Sequence, residues 1–169
     1  MSDIEAQKEE STAKAPSQEE AVQVARELMD KLLKLMDAEI TLTVGERDGV
    51  PLLSLKGTDE SLLIGRHGET LHAMQMLLTL MLQKHFHGAA PEVLLDVDDY
   101  TERRRDIVTQ MAIRMANKAI DTGHTIELKP MPAGERRIVH MALKEYPGVS
   151  THSTGDGDER YIVIVPDER

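Results

Sequence analysis

The sequence contains no cysteine in its 169 residues, which excludes disulfides, thiolate metal sites and a cysteine nucleophile. Aromatic residues make up only 2% of the chain, so few side chains are available to form a stacking platform for a ligand. No apolar run approaches the length that spans a bilayer, and residues 1–17 lack the apolar core of a signal peptide. These absences predict a soluble cytoplasmic protein with no membrane partner.

Positive charge is also in deficit, with 20 lysines and arginines against 30 acidic residues and a formal net charge of -10. An acidic protein is not expected to coat nucleic acid nonspecifically, because phosphate binding normally requires a basic surface. The acidic residues are spread along the chain, whereas arginines cluster at residues 103–105 and 136–137. Local basic patches on an acidic body suit modest, selective binding of phosphate groups.

The first half of the chain predicts a helix, two strands, two helices and a strand, in that order. Residues 1–16 have no apolar periodicity and are predicted to form a disordered acidic tail. Ser17 and Glu20 form a capping box at the start of the first helix. Alternating apolar residues over 40–44, followed by an Asp48-Gly49 turn, predict a hairpin. The residues predicted to be buried in the first and third helices are Val22, Ala25, Met29, Leu32, Leu33, Met36, Leu71, Met74, Leu78 and Met81.

A second pattern begins near Tyr100, where we predict a domain boundary between residues 17–99 and 100–169. A long helix over residues 99–122 is predicted to end at Gly123. Its predicted buried stripe is Ile107, Met111, Met115 and Ala119. A strand over 124–129, a helix over 132–145 and a hairpin through residues 155–157 complete the prediction.

Two motifs carry candidate chemistry, and the first is the glycine-bracketed loop from Gly65 to Gly68. Its glycines allow close backbone approach, and free N–H groups at the start of the following helix favour an anion such as phosphate. A bare pair of glycines at this spacing more often marks a simple turn. The apolar Ile64 before the loop, the amphipathic helix after it and the hairpin upstream favour the phosphate-binding interpretation.

The second motif comprises Arg136, Arg137 and His140. A helix places Arg136 and His140 on one face, about one turn apart, where a guanidinium and an imidazole can contact the same phosphate. The alternative is a solvated Arg136 and a histidine that only caps or borders the core.

Together these motifs resemble the bacterial Jag family, also called KhpB, and the resemblance covers residues 18–166. It is carried by residues 63–71, 96–104 and 130–143 in the correct order. The resemblance implies an α+β fold, with a type II KH domain (17–99) followed by a small α+β Arg-xxx-His (R-3-H) domain. Many relatives also carry an amino-terminal Jag domain, which is not seen in this sequence.

The function that the resemblance implies is single-stranded RNA binding, with single-stranded DNA as a further ligand, in an RNA chaperone or post-transcriptional regulator. It also implies a small KH-only partner or a homodimer, and a link to cell shape and envelope growth. The residues expected to bind RNA are Ile64, Gly65, Arg66, His67, Gly68, Arg103, Arg104, Arg136, Arg137 and His140. Glu102 and Asp106 flank the arginines of residues 103–105 and are expected to form surface ion pairs with them.

Two other functions are weighed against RNA binding. An apolar helical surface that pairs with a small partner or with itself would make the chain a protein-interaction module, which the acidic charge favours. A hydrolase has no nucleophile or metal constellation to support it, and we predict no catalytic residue, metal or cofactor. The histidines at 67, 72, 85 and 87 are not expected to converge on a metal, and the aspartates at 96, 98 and 99 are expected to favour a helix amino terminus.

Overall fold

The computed structural model describes residues 16–167, so the predicted acidic tail, apart from Pro16, lies outside the described residues. Helix α1 spans Gln18–Leu35 and begins with the predicted capping box. Ser17 Oγ accepts a hydrogen bond from the Glu20 N–H at 3.2 Å, and the Ser17 N–H donates to Glu20 Oε2 at 2.8 Å. The predicted stripe is confirmed at Ala25, Met29 and Leu33, whereas Val22, Leu32 and Met36 are only partly buried.

The predicted hairpin is confirmed as strands β1 (Ile40–Arg47) and β2 (Val50–Gly57). Asp48 and Gly49 join them with positive φ angles of 52° and 80°, which matches the right-handed twist of the strands. Strand β3 (Leu94–Val97) pairs parallel to β2, with Leu52 opposite Leu94, so the sheet order is β1-β2-β3. The buried strand β2 therefore lies at the centre of the sheet.

Helices α2 (Glu60–Ile64) and α3 (Glu69–His85) form the crossover between the parallel strands β2 and β3. The buried stripe of α3 is Leu71, Met74, Leu78 and Leu82, so the prediction of Met81 as its last member was wrong. Leu82 continues the spacing of four residues from Leu78, whereas Met81 is only partly buried. With α1, these elements enclose the first hydrophobic core, which includes Leu53, Leu55 and Leu63.

The second half folds around helix α4 (Tyr100–Thr122), which ends at Gly123 with φ 67°, as predicted. It is followed by β4 (Ile126–Glu127), α5 (Ala133–Leu143), β5 (Val149–Thr154) and β6 (Tyr161–Pro166). These strands form an antiparallel sheet of order β4-β6-β5. The prediction of a strand over 124–129 was too long, because only two residues of that segment pair with β6.

The predicted buried stripe of α4 was wrong by one residue over most of its length. The buried residues are Val108, Ala112, Ala116 and Ala119, while Ile107 is 55% exposed. Small side chains face the second core because α5 and β6 pack closely on α4, and the bulkier Met111 and Met115 pack at the edge. The first core ends at Val97 and the second begins at Val108. The exact domain limits on either side of Tyr100 stay a prediction.

Candidate functional site

The loop between α2 and α3 reverses the chain with backbone angles that favour glycine. Helix α2 ends at Gly65, where φ is 70°, and α3 begins after Gly68, where φ is 82°. A β-carbon at Gly65 would overlap Thr70 Oγ1, and one at Gly68 would lie 2.8 Å from Tyr100 Cε1. Both positions therefore require glycine for the loop to pack against its own protein neighbours.

Arg66 and His67 are the exposed side chains of this loop, on a single 3-10 turn. Within residues 16–167, the guanidinium of Arg66 has no hydrogen-bond or ion-pair partner. Nδ1 of His67 lies 2.7 Å from Nη2 of Arg104. Because a guanidinium can only donate, Nδ1 of His67 accepts, and Nε2 carries the hydrogen that remains available to a ligand.

Arg104 lies in the second turn of α4 and forms a two-pronged ion pair with Glu135. Its Nε and Nη2 donate to the two carboxylate oxygens at 2.7 and 3.0 Å. The carboxylate is nearly buried, with 9% of the Glu135 side chain exposed, and this hydrogen bond raises the pKa of Arg104. Arg104 was expected to contact RNA, but its guanidinium is held between His67 and Glu135.

Arg103 is likewise occupied within the protein. Its Nη1 donates to the Asp98 side chain at 2.9 Å and also to the Asp98 backbone carbonyl. Lys56 contacts the same carboxylate at 2.9 Å, and the two cations together lower the pKa of Asp98. The expectation that Glu102 and Asp106 pair with these arginines was wrong: among residues 16–167, Arg103 pairs with Asp98 in the turn before α4, and Arg104 pairs with Glu135 of α5.

The second motif lies on α5, and two of its three residues make contacts that fix the local structure. Nη1 of Arg136 donates to the Met131 carbonyl at 2.8 Å and holds the turn that precedes the helix. Nδ1 of His140 lies 2.8 Å from Thr151 Oγ1 and ties α5 to β5. The side chain of Arg137 is exposed and has no polar partner in the described part of the chain.

The structure brings the two motifs together through Arg104. Glu135 is in the first turn of α5, one residue before Arg136, so the ion pair places the amino-terminal end of this helix beside the α2–α3 loop. The loop carries Arg66 and α5 carries Arg137, and neither guanidinium has a partner among residues 16–167. Sequence reasoning assigned no role to Glu135 or Tyr100, because nothing local distinguishes this glutamate from the other acidic residues among the 30 in the chain.

Asp96 has a structural role that agrees with the expectation of carboxylates at a helix amino terminus. Its Oδ1 accepts hydrogen bonds from the Val97 N–H, the Thr101 N–H and the Thr101 hydroxyl, while Oδ2 accepts from Arg47 at 2.7 Å. This network raises the pKa of Arg47. Across residues 16–167 no group of three or more histidines and acids is placed to hold a metal ion.

Comparison with known protein families gives one match in each half of the chain. Residues 22–93 match the family model described as "KhpA/KhpB, KH domain", and residues 106–166 match the model of the R-3-H domain. The first match covers most of the elements from α1 to α3, and the second covers most of α4 and everything after it. In the part of the chain that is described, no helix is both long and apolar enough to cross a membrane.

Similar proteins span both halves. The chain is 31% identical over 145 residues to the RNA-binding protein KhpB of Bacillus subtilis, covering 85% of this chain and 69% of that protein. It is 34% identical over 156 residues to the protein of the same name from Lactiplantibacillus plantarum, covering 92% and 48%, and 32% identical over 147 residues to that of Clostridium symbiosum, covering 87% and 65%. The matched region thus spans about half to two thirds of the length of these relatives. The chain belongs to the KhpB (Jag) family, with an α+β fold of a KH and an R-3-H domain.

Proposed function

We propose that this chain binds single-stranded RNA along one surface shared by both domains. The observation that carries the proposal is the position of the α2–α3 loop and the start of α5, which Arg104 holds side by side. Each of these segments carries an exposed arginine, Arg66 and Arg137, whose charge is not used within the described structure. The similar proteins of the three bacteria above are named RNA-binding proteins, which supports the same function.

In the first domain the loop contacts the sugar-phosphate backbone. Arg66 supplies the free positive charge, and Nε2–H of His67 donates to a phosphate oxygen. Apolar surface lies directly beside the loop, where Leu62 is 53% exposed and Ile64 is partly buried. Unstacked bases pack there, as expected of a loop that clamps about four nucleotides.

In the second domain Arg137 makes the phosphate contact, while Arg136 and His140 hold α5 in position and border the same surface. Arg103 and Arg104 stabilise the region between the two contacts. The net charge of -10 keeps the affinity of each site modest. Two modest sites on one strand combine through a raised effective concentration, so useful affinity does not require a basic protein.

The biological role that follows is that of a cytoplasmic RNA chaperone or post-transcriptional regulator without catalytic activity. Modest affinity for single strands suits a protein that binds and releases RNA repeatedly. Single-stranded DNA offers the same phosphates and is a second ligand. The involvement in cell shape and envelope growth rests on the family resemblance alone.

The test is fluorescence anisotropy of a labelled, mixed-sequence single-stranded RNA at several salt concentrations. The first variant is Arg66→Gln with His67→Asn, since asparagine tolerates the positive φ of residue 67. The matched control is Lys84→Gln with His85→Asn, at the opposite end of α3 and about 25 Å away at 1.5 Å per residue.

We expect native binding to weaken with salt, and the loop variant to lose about 0.7 in the logarithmic salt slope for each phosphate contact removed. The control variant carries the same change of charge and should bind like the native protein. Equal losses in both variants would mean that net charge, and not the loop, controls binding. Failure of the native protein to bind RNA would overturn the proposed function.

A second candidate function is protein interaction, and the exposed face of α3 favours it. Met76, Leu77 and Leu80 are 52%, 43% and 56% exposed and lie at helical spacing on one face. A second copy of the chain or a small KH-only protein would bury them. Sedimentation velocity of the native protein and of Leu80→Lys tests this: a native dimer that the variant converts to a monomer, without RNA binding, would favour interaction over RNA binding.

A further inference from the structure

The segment that connects the two domains makes side-chain contacts with both of them. Residues 94–105 lie between the two family matches, at 22–93 and 106–166. There β3 passes through Asp98 and Asp99, both with positive φ, directly into α4. The domains are thus connected by a continuous helix that begins on the first domain and packs along the second.

The first turn of α4 rests on the α2–α3 loop. The ring of Tyr100 packs so closely on Gly68 that a β-carbon there would lie 2.8 Å from Tyr100 Cε1. Tyr100 also packs against the first core, although it starts the helix that carries the second. This contact fixes the start of α4 relative to the loop.

Arg104, one turn further along α4, contacts both domains. Its Nη2 reaches both His67 of the loop and Oε2 of Glu135, while Nε donates to Oε1 of the same carboxylate. Glu135 is 7% exposed and belongs to the first turn of α5, so the guanidinium is fixed on the side of the second domain. A lysine at this position would keep the charge but lacks the planar fork that reaches three acceptor atoms at once.

We propose that Arg104 is a positioning residue that locks the α2–α3 loop to α5, so that one RNA strand contacts both domains as a single rigid track. The inference rests on the proposed function. Without the lock the two domains still bind RNA separately, but the second contact loses the high effective concentration that fixed geometry provides. Arg104 thus acts through His67 and Glu135, and not by touching a phosphate.

The dependence of affinity on RNA length distinguishes a residue that positions the two domains from a residue that contacts a phosphate. The assay compares an RNA of about four nucleotides, which fills one domain, with one of about twelve nucleotides, which reaches both. For Arg104→Lys we expect the ratio of long to short affinity to fall roughly tenfold while binding of the short RNA is retained. A residue that only contacts phosphate would tolerate this substitution. Arg105→Lys is the matched control, because the side chain of the neighbouring Arg105 is exposed and has no polar partner in the described structure.

Glu135→Gln is a second test, in which the effect of charge and the effect of losing the Arg104–Glu135 ion pair on RNA binding have opposite signs. Removing a negative charge should strengthen RNA binding if only electrostatics matter, whereas loss of the lock should lower the long-to-short ratio as in Arg104→Lys. Because the chain has no cysteine, spin labels at Lys84→Cys and Lys144→Cys can measure the distance between domains directly. We expect one narrow distance distribution in the otherwise native protein and a broader one in Arg104→Lys and Glu135→Gln. Retained binding of the short RNA shows that these variants remain folded.

The outcomes distinguish the lock from the proposed function. If the native protein binds RNA and both Arg104→Lys and Glu135→Gln keep the native ratio of long-RNA to short-RNA affinity, the positioning role of Arg104 is overturned. The proposed RNA-binding function would then still stand. An unchanged distance distribution in those variants would also overturn the positioning role. Failure of the native protein to bind either RNA would overturn the proposed function, whatever the spin labels report.

Discussion

Replacing Asp96 by asparagine tests the network that joins the hairpin, β3 and α4. The Asp96 side chain is 1% exposed, and its Oδ2 accepts a 2.7 Å hydrogen bond from Arg47. Asparagine has the same shape, and its amide oxygen can still accept hydrogen bonds from the three donors at Oδ1. Its NH2 group, however, replaces Oδ2 and faces the Arg47 guanidinium, so that two hydrogen-bond donors oppose each other. The substitution removes a hydrogen bond between charged groups and leaves a partly buried arginine without its closest carboxylate. We expect a loss of about 2–4 kcal/mol in the free energy of unfolding.

The control is Asp99→Asn, since Asp99 contacts the same Nη2 atom of Arg47 at 3.2 Å but is 69% exposed. An exposed pair of this kind contributes less than about 1 kcal/mol. Urea unfolding at neutral pH, followed by circular dichroism because the chain has no tryptophan, measures both variants. If Asp96→Asn destabilised the first domain no more than Asp99→Asn, the buried network would not hold this region together.

The α2–α3 loop and its neighbour Tyr100 give two further predictions. Gly68→Ala should destabilise the first domain by about 1–3 kcal/mol, because alanine is strained at φ 82° and would press on Tyr100, and urea unfolding measures the loss. Gly134→Ala, at an open helical position, should instead be neutral or stabilise by up to about 1 kcal/mol; equal effects at the two glycines would contradict the loop geometry. Burial raises the pKa of Tyr100 from its ordinary value of 10.0, so its contribution to stability is complete below that pH and is lost as the pH rises through the higher folded value. Tyr100→Phe should therefore flatten the fall in melting temperature above pH 10, and an unchanged alkaline decline would refute the assignment.

Features that depend on a few neighbouring residues could be predicted from the sequence. The capping box of Ser17, the Asp48-Gly49 turn and the helix end at Gly123 each depend on local backbone preferences, and the structure confirms all three. The order of helices and strands in the first domain follows from the periodicity of apolar residues for the same reason. The position of Gly65 and Gly68 in a loop between two helices was predicted correctly, although their packing against Thr70 and Tyr100 was not predicted.

Features that depend on which elements meet in space required the tertiary structure. The buried stripe of α4 was displaced by one residue because Ile107 and Val108 are equally apolar, and only the packing of α5 and β6 selects Val108. Arg104 likewise has the same sequence signal as Arg103 and Arg105, three consecutive arginines that point in different directions around a helix. Only the fold brings Glu135, 31 residues further along the chain, within 2.7 Å of Arg104. Local composition thus determined the elements and the candidate motifs, whereas long-range packing decided which of the described side chains are paired within the protein and which stay exposed.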